Sequence, residues 1–111
     1  MKKNLSLLLL LLSLLSFSQN QEIGQSFVEI LLKEKNFDKA LTFLDPSIKD
    51  KITVDFLSKT VSQLEAQLGV YQNTISVANN DIVISYYTQF KNMALDFEIK
   101  FKEDKIVSFF F

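Results

Sequence analysis

The chain has 111 residues and a nearly balanced charge, with 12 Lys and Arg residues against 13 Asp and Glu residues. All of its basic residues are lysines, and it contains no histidine and no cysteine. This length predicts one small domain. The absence of arginine and of a net positive charge excludes the usual electrostatic pattern of a nucleic-acid-binding protein. Without cysteine there are no disulfides and no lipoprotein anchor, and without histidine as well, Ser-His-Asp catalysis, Cys-His catalysis and most zinc sites are excluded.

The N-terminus has the pattern of a secretory signal peptide over residues 1–18. Lys2 and Lys3 precede the apolar run Leu5–Leu15, and small serine residues flank Phe17, as a cleavage site requires. The apolar run is shorter than the roughly 20 residues that a membrane span needs. We therefore expect an exported protein, periplasmic or secreted from a bacterium, without membrane contact after cleavage. The alternative is an uncleaved N-terminal anchor.

Three helices are predicted in the first half of the mature chain, because apolar residues recur there at intervals of three and four. After a loose lead-in at 19–21, their expected bounds are about 22–35, 37–44 and 54–68. Asp45-Pro46 ends the second helix, since the residue before a proline is pushed out of the helical region. A polar connection follows over 47–52, and Thr53 is a credible N-cap for the third helix. A coiled-coil seam is the alternative for that helix, but its repeat is only two heptads long.

After Gly69 the apolar spacing changes to a period of two, which predicts strands. The four expected strands cover about 70–78, 81–90, 93–102 and 105–111. The short intervals between them predict antiparallel hairpins. Asn79-Asn80 supplies favourable turn chemistry for the first hairpin. The alternative, that these residues and Asp81 are calcium ligands, is weak because a calcium loop spreads more oxygen ligands over a longer segment.

Pairing the strands across two-residue turns places their apolar residues on one face of a sheet. Val77 falls opposite Ile82, and Phe97 falls opposite both Tyr86 and Phe110. A one-residue slip would send one strand's apolar set to the other face, so this agreement supports the register. The sequence therefore predicts an α+β fold, in which three N-terminal helices pack on a four-stranded antiparallel meander sheet within a single domain at 22–111.

Three stretches carry a resemblance to a known family: FVEILLKEKNFDKALTFLDPSIK, the helix end QLEAQLGVYQN, and the tail FKEDKIVSFFF. Over residues 22–111 the chain resembles the bacterial domain-of-unknown-function family 3887. The resemblance implies a cystatin-like roll similar to that of nuclear transport factor 2 and ketosteroid isomerase. Many relatives place this domain before an α/β-hydrolase domain, which does not follow in this sequence. The resemblance therefore implies no hydrolase activity, catalytic motif or cofactor for this chain.

Five polar side chains are predicted on the inner face of the sheet: Tyr71, Asn73, Tyr86, Thr88 and Ser108. Asn73 falls opposite Tyr86, and Tyr71 falls opposite Thr88. A few convergent polar groups in an apolar concavity are typical of a small-molecule pocket, so these two pairs are the candidate ligand-binding residues. The alternative is that they satisfy one another or reach water at the open end of the roll. No Asp or Glu is predicted on that face, so we expect no acid-base catalysis of the isomerase kind and no metal or cofactor.

The last strand is predicted to be apolar on both faces and to lie at a sheet edge. Val107, Phe109 and Phe111 are expected to share its outer face. Exposed apolar edges mark contacts or aggregation hazards, so these three are candidate interface residues for a second copy or for another envelope protein. The alternative is that the C-terminal segment bends and shields itself.

The sequence as a whole favours an exported, non-enzymatic domain that binds a small apolar ligand or a protein. The first alternative is a structural or dimerising module of the cell envelope. The second is a small isomerase-like enzyme of the cystatin-like roll. A cavity around the inner-face polar residues would support the binding of a small ligand, and an ionisable group inside that cavity would support the enzyme.

Overall fold

The fold is described by a computed structural model that covers residues 19–80 and 82–111. The predicted signal peptide at 1–18 and residue Asp81 lie outside the described residues. Within the described ranges, no helix has both the length and the apolar character needed to cross a membrane.

The helical half starts with an α-helix over residues 19–28, labelled α1, so the expected loose lead-in at 19–21 is helical instead. It continues into a π-helical turn, Glu29–Glu34, that ends at Lys35 in the left-handed region with φ 55°. The amides of Lys35 and Asn36 both donate to the carbonyl of Ile30, which satisfies an acceptor at this helix end. Three further helices follow: α2 Phe37–Leu41, α3 Pro46–Lys49 and α4 Val54–Leu68.

Side-chain caps explain where these three helices begin. The side chain of Asn36 accepts from the amide of Lys39 at the start of α2, and Thr53 accepts from Phe56 at the start of α4. Asp45 caps α3, and the following proline occupies the first turn, where it lacks only an amide that would be unpaired anyway. The hydrogen bonds from Ser47 hold the pKa of Asp45 below its usual value. The segment expected to be a polar connection therefore begins with one capped helical turn.

The second half is a four-stranded antiparallel sheet in the order β1-β2-β3-β4. The strands are β1 Tyr71–Asn80, β2 Val83–Phe90, β3 Ala94–Lys102 and β4 Lys105–Phe110. This confirms the predicted α+β class, with helices followed by a four-stranded meander. The likeness to the cystatin-like roll stays a prediction.

The register of the central hairpin agrees with the sequence pattern, whereas that of the first hairpin does not. Tyr86 pairs with Phe97 as expected, but Val77 pairs with Tyr86 and not with Ile82. The pairing of the first hairpin continues as far as Asn80, so Asn79-Asn80 belongs to β1 and does not form the turn. Two register shifts within 71–76 then bring the pairing of β1 with β2 partly back toward the predicted register. Among the described residues, no group of three or more acidic side chains could hold a metal ion.

The last hairpin starts in the predicted register and then changes it. Lys102 pairs with Lys105, but Lys100 pairs with Ser108, so Val107 is one extra residue in β4. Such a β-bulge reverses which side chains of the strand face the core. As a result Phe109 pairs with the buried Ile99, and its predicted outward orientation is wrong.

The hydrophobic core lies between the helices and one face of the sheet, as expected from the alternating strands. Phe27 of α1 is its centre, with its ring centroid 5.8 Å from that of Phe43 and 5.3 Å from that of Phe109. Phe97 lies beneath them, and its ring centroid is 4.3 Å from that of Phe111. Phe111 therefore also contacts the core face, contrary to its predicted outward position. Large aromatic side chains supply much of the apolar area that a domain of this size needs.

Candidate functional site

The predicted ligand-binding residues do not converge on one cavity. Tyr86 is fully buried, and its hydroxyl donates to the carbonyl of Gln21 at 2.8 Å. Thr88 is also buried, and its hydroxyl donates to the carbonyl of Leu95 at 2.8 Å. These groups are satisfied within the protein, which agrees with the alternative stated above for them.

Tyr71 and Asn73 are separated from Tyr86 by the altered register of β1. The hydroxyl of Tyr71 lies 2.9 Å from that of Thr74. Asn73 is exposed and pairs with Gln89, so its predicted position opposite Tyr86 is wrong. The cause is the later turn of the first hairpin, which moves every residue of β1 relative to β2.

Tyr86 instead packs against α1. A Cβ atom added at Gly24 would lie 2.6 Å from Cζ of Tyr86, so only glycine allows the helix to approach this closely. Burial raises the pKa of the Tyr86 phenol well above its usual value. The phenol is therefore a protonated hydrogen-bond donor that joins α1 to the sheet.

An open apolar groove with a volume of about 420 Å³ lies beside β4. One wall is the end of β4, and the other is formed by α3, the α3–α4 connection and the first turns of α4. The lining residues are Ile48, Lys51, Ile52, Phe56, Thr60, Val107, Ser108, Phe109, Phe110 and Phe111. We refer to it below as the β4 groove.

All three predicted interface residues line the β4 groove, although their predicted shared outer face does not exist. The bulge at Val107 turns Phe109 toward the helices, and Phe111 follows it. Whether these residues contact another protein stays a prediction. Their position makes them part of a concave site between strand and helix.

The opposite wall was not recognised from the sequence. Ile48 and Ile52 belong to the segment expected to be a polar connection, and both line the groove. Phe56 is 53% exposed and lies beside the buried stripe of α4 that begins at Leu57. A large aromatic residue next to, but outside, the buried stripe of a helix was the signal available in the sequence.

The groove has one charged lining residue, Lys51. Within the described ranges, ion pairs join Lys35 to Glu65 and Lys59 to Asp55, and none involves Lys51. The Lys51 ammonium therefore offers an unpaired positive charge at the rim of an apolar site. A long lysine stem commonly lies along apolar surface while its charge stays in water.

A second, smaller cavity of about 210 Å³ lies beside the β3–β4 turn, lined by Ile23, Thr42, Phe43, Asp104 and Lys105. The Lys105 ammonium donates to the carbonyl of Thr42 at 3.2 Å, so its charge is already engaged there. The carboxylates of β3, Asp96 and Glu98, are on the other face of the sheet, where Glu98 accepts from Ser85 at 3.4 Å. The β4 groove is thus the larger and more apolar of these two cavities.

Comparison with known proteins places most of the chain in one family. The model of the family described as "Protein of unknown function (DUF3887)" matches residues 25–109. The matched range includes both walls of the β4 groove except its last two phenylalanines. No curated protein and no solved structure gives a match.

Proposed function

Because the chain belongs to the DUF3887 family of proteins of unknown function, we propose from its own geometry that it binds a small apolar molecule in the β4 groove. The single observation that carries the proposal is the groove itself, an apolar concavity of about 420 Å³ with one charged residue at its rim. This volume lies within the range of about 300–1,000 Å³ that is common for ligand sites.

The composition of the walls selects the ligand class. Aromatic and aliphatic side chains from three elements surround the space, so the body of the ligand is apolar. Lys51 is positioned to pair with an anionic group that stays at the rim in contact with water. An acyl chain with a terminal carboxylate combines both features.

The protein acts as an exported, non-catalytic binding domain in this proposal. Export rests on the sequence pattern of residues 1–18, and the non-catalytic role rests on a chain without histidine or cysteine. The polar groups that line the groove, apart from Lys51, are Thr60 and Ser108, which suit orientation of a ligand.

Calorimetric titration of the mature protein with dodecanoate and with dodecanol tests the proposal. We expect both probes to bind, and dodecanoate to bind more tightly at low salt because only it pairs with Lys51. The Lys51→Gln variant should remove the preference for dodecanoate and retain dodecanol binding. Failure of both probes to bind would refute the groove as an apolar ligand site.

A matched pair of charge variants on α4 locates the site. Phe56→Glu places a carboxylate in the groove and should abolish dodecanol binding, since an apolar ligand cannot then displace water from that wall. Val54→Glu adds the same charge to an exposed position in the first turn of the same helix, outside the groove. Equal loss of binding in both variants would show that the effect comes from the helix and not from the groove.

A further inference from the structure

The opposite edge of the sheet is unusual because it carries no charge. β1 is an edge strand of ten residues, Tyr71–Asn80, and none of them is Lys, Arg, Asp or Glu. Nearly all of it is exposed, including Ile75 at 54% and Val77 at 40%. An edge strand presents unpaired backbone donors and acceptors, which can pair with a further strand.

Proteins usually protect such an edge with lysine, proline or bulges. β1 has no lysine and no proline, and its two register shifts lie within 71–76. The remaining segment, Ser76–Asn80, pairs regularly with Val83–Tyr87. We call this segment the open β1 edge, and its outer side is free of the devices that block strand addition.

The other edge of the sheet, at β4, is protected at its start. β4 begins with Lys105, and a parallel bridge joins Leu44 to Ile106. Through it the Ile106 amide donates to the Phe43 carbonyl at 3.0 Å, and the Asp45 amide donates to the Ile106 carbonyl at 2.8 Å. The start of β4 is therefore both charged and covered, and the contrast identifies β1 as the edge available for pairing.

We propose that the open β1 edge pairs antiparallel with the same segment of a second copy of this chain, with Ala78 at the twofold axis. In such an isologous interface both strands bring the same residues close to the axis, so a charged side chain there would lie near the same charge on the other copy. A strand without charge meets that requirement. Ala78 is small enough for close approach at the axis, and Val77 of each copy would lie beside Asn79 of the other.

Pairing through β1 has two consequences. The two sheets join into one continuous sheet of eight strands, and the exposed Val77 becomes covered. The β4 grooves lie on the far edges of that sheet, so dimer formation leaves both of them open. The dimer interface is thus independent of the proposed ligand site.

Sedimentation velocity of the mature protein over a concentration series tests this proposal. We expect a monomer–dimer equilibrium, and a Val77→Lys variant that dimerises at least about tenfold more weakly because like charges then lie on diagonal positions across the axis. Met93→Lys is the matched control, since Met93 is 52% exposed and lies outside β1. Circular dichroism verifies that both variants are folded.

Mixing two Val77 variants gives the decisive result. Val77→Lys and Val77→Glu copies carry opposite charges at positions diagonal across the axis, about 7–8 Å apart and within reach of long side chains. We expect the mixture to dimerise more tightly than either variant does alone. A monomeric wild-type protein, dimers unaffected by Val77→Lys, or a mixture that remains monomeric would each overturn the proposal. Dodecanol binding by Val77→Lys is expected to be unchanged, which keeps this test separate from that of the groove.

Discussion

The contact between Gly24 and Tyr86 makes a specific prediction about stability. Alanine normally stabilises a helix relative to glycine by about 1 kcal/mol. At Gly24 we expect the opposite, because a methyl group there would overlap the phenol of Tyr86 and lie 2.6 Å from its Cζ and 2.9 Å from its Cε2. The ring is fully buried, so it has no open space into which it could move.

The expected size follows from three effects. Overpacking a dense core costs about 1–3 kcal/mol. Displacing the ring also breaks the 2.8 Å hydrogen bond from Tyr86 to the carbonyl of Gln21, which contributes about 1 kcal/mol. After the gain in helix propensity is subtracted, Gly24→Ala should lower the free energy of unfolding by about 2 kcal/mol. For a domain of this size the melting temperature should fall by about 10 °C.

Urea denaturation of a double-mutant cycle is the appropriate assay. Tyr86→Phe alone should cost about 1 kcal/mol through the lost hydrogen bond. In that background Gly24→Ala should be less destabilising by about 1 kcal/mol, because the phenol oxygen is the atom that the new methyl group would meet first. A neutral or stabilising Gly24→Ala would refute the packing of α1 against the sheet. Additive effects would show that the two residues do not interact.

Two other predictions concern the buried hydroxyl groups. The pKa of Tyr86 is about 10 in the unfolded chain, and burial raises it in the folded chain. The stability that the protonated phenol contributes is therefore fully present below pH 10 and is lost progressively as the pH rises above 10. The free energy of unfolding should fall by about 1.4 kcal/mol per pH unit above pH 10 relative to Tyr86→Phe, and parallel pH profiles in urea denaturation would contradict this. Thr88→Val removes the hydrogen bond to Leu95, so it should cost about 1 kcal/mol in the same assay. It should leave dodecanoate binding unchanged, and weaker binding would restore Thr88 as a ligand residue.

The sequence pattern predicts the class of fold well because period and burial are coupled. The alternation in β3 identifies the core face, and it fixes the pairing of Tyr86 with Phe97 correctly. The same reasoning fails where a turn comes later than expected, as in the first hairpin, and where one strand has an extra residue opposite its partner. The irregularities in β1 and the extra residue Val107 in β4 leave no trace in an apolar pattern, and each changes the register beyond it.

The candidate site shows the same limit. Val107, Phe109 and Phe111 are recognisable as an apolar cluster, and they do lie together around one concavity. Their orientation depends on the bulge, and their neighbours on the other wall come from α3, α4 and the connection between them, more than forty residues earlier in the chain. Tertiary packing of that kind is not encoded in local spacing, so the outer patch expected from the sequence is an inner groove in the structure.

Because of the extra residue in β4, the position of the hairpin turn and the orientation of the aromatic side chains in the groove are set by different residues. The pairing of Lys102 with Lys105 sets the turn, whereas Val107 decides which aromatic rings reach the helices. Because Phe109, Phe110 and Phe111 are consecutive, gaining or losing one residue before them would exchange one ring for another and still leave an aromatic side chain against the core. A change in the length of β4 alone would therefore reshape the groove of this chain, without a new turn and without a new core.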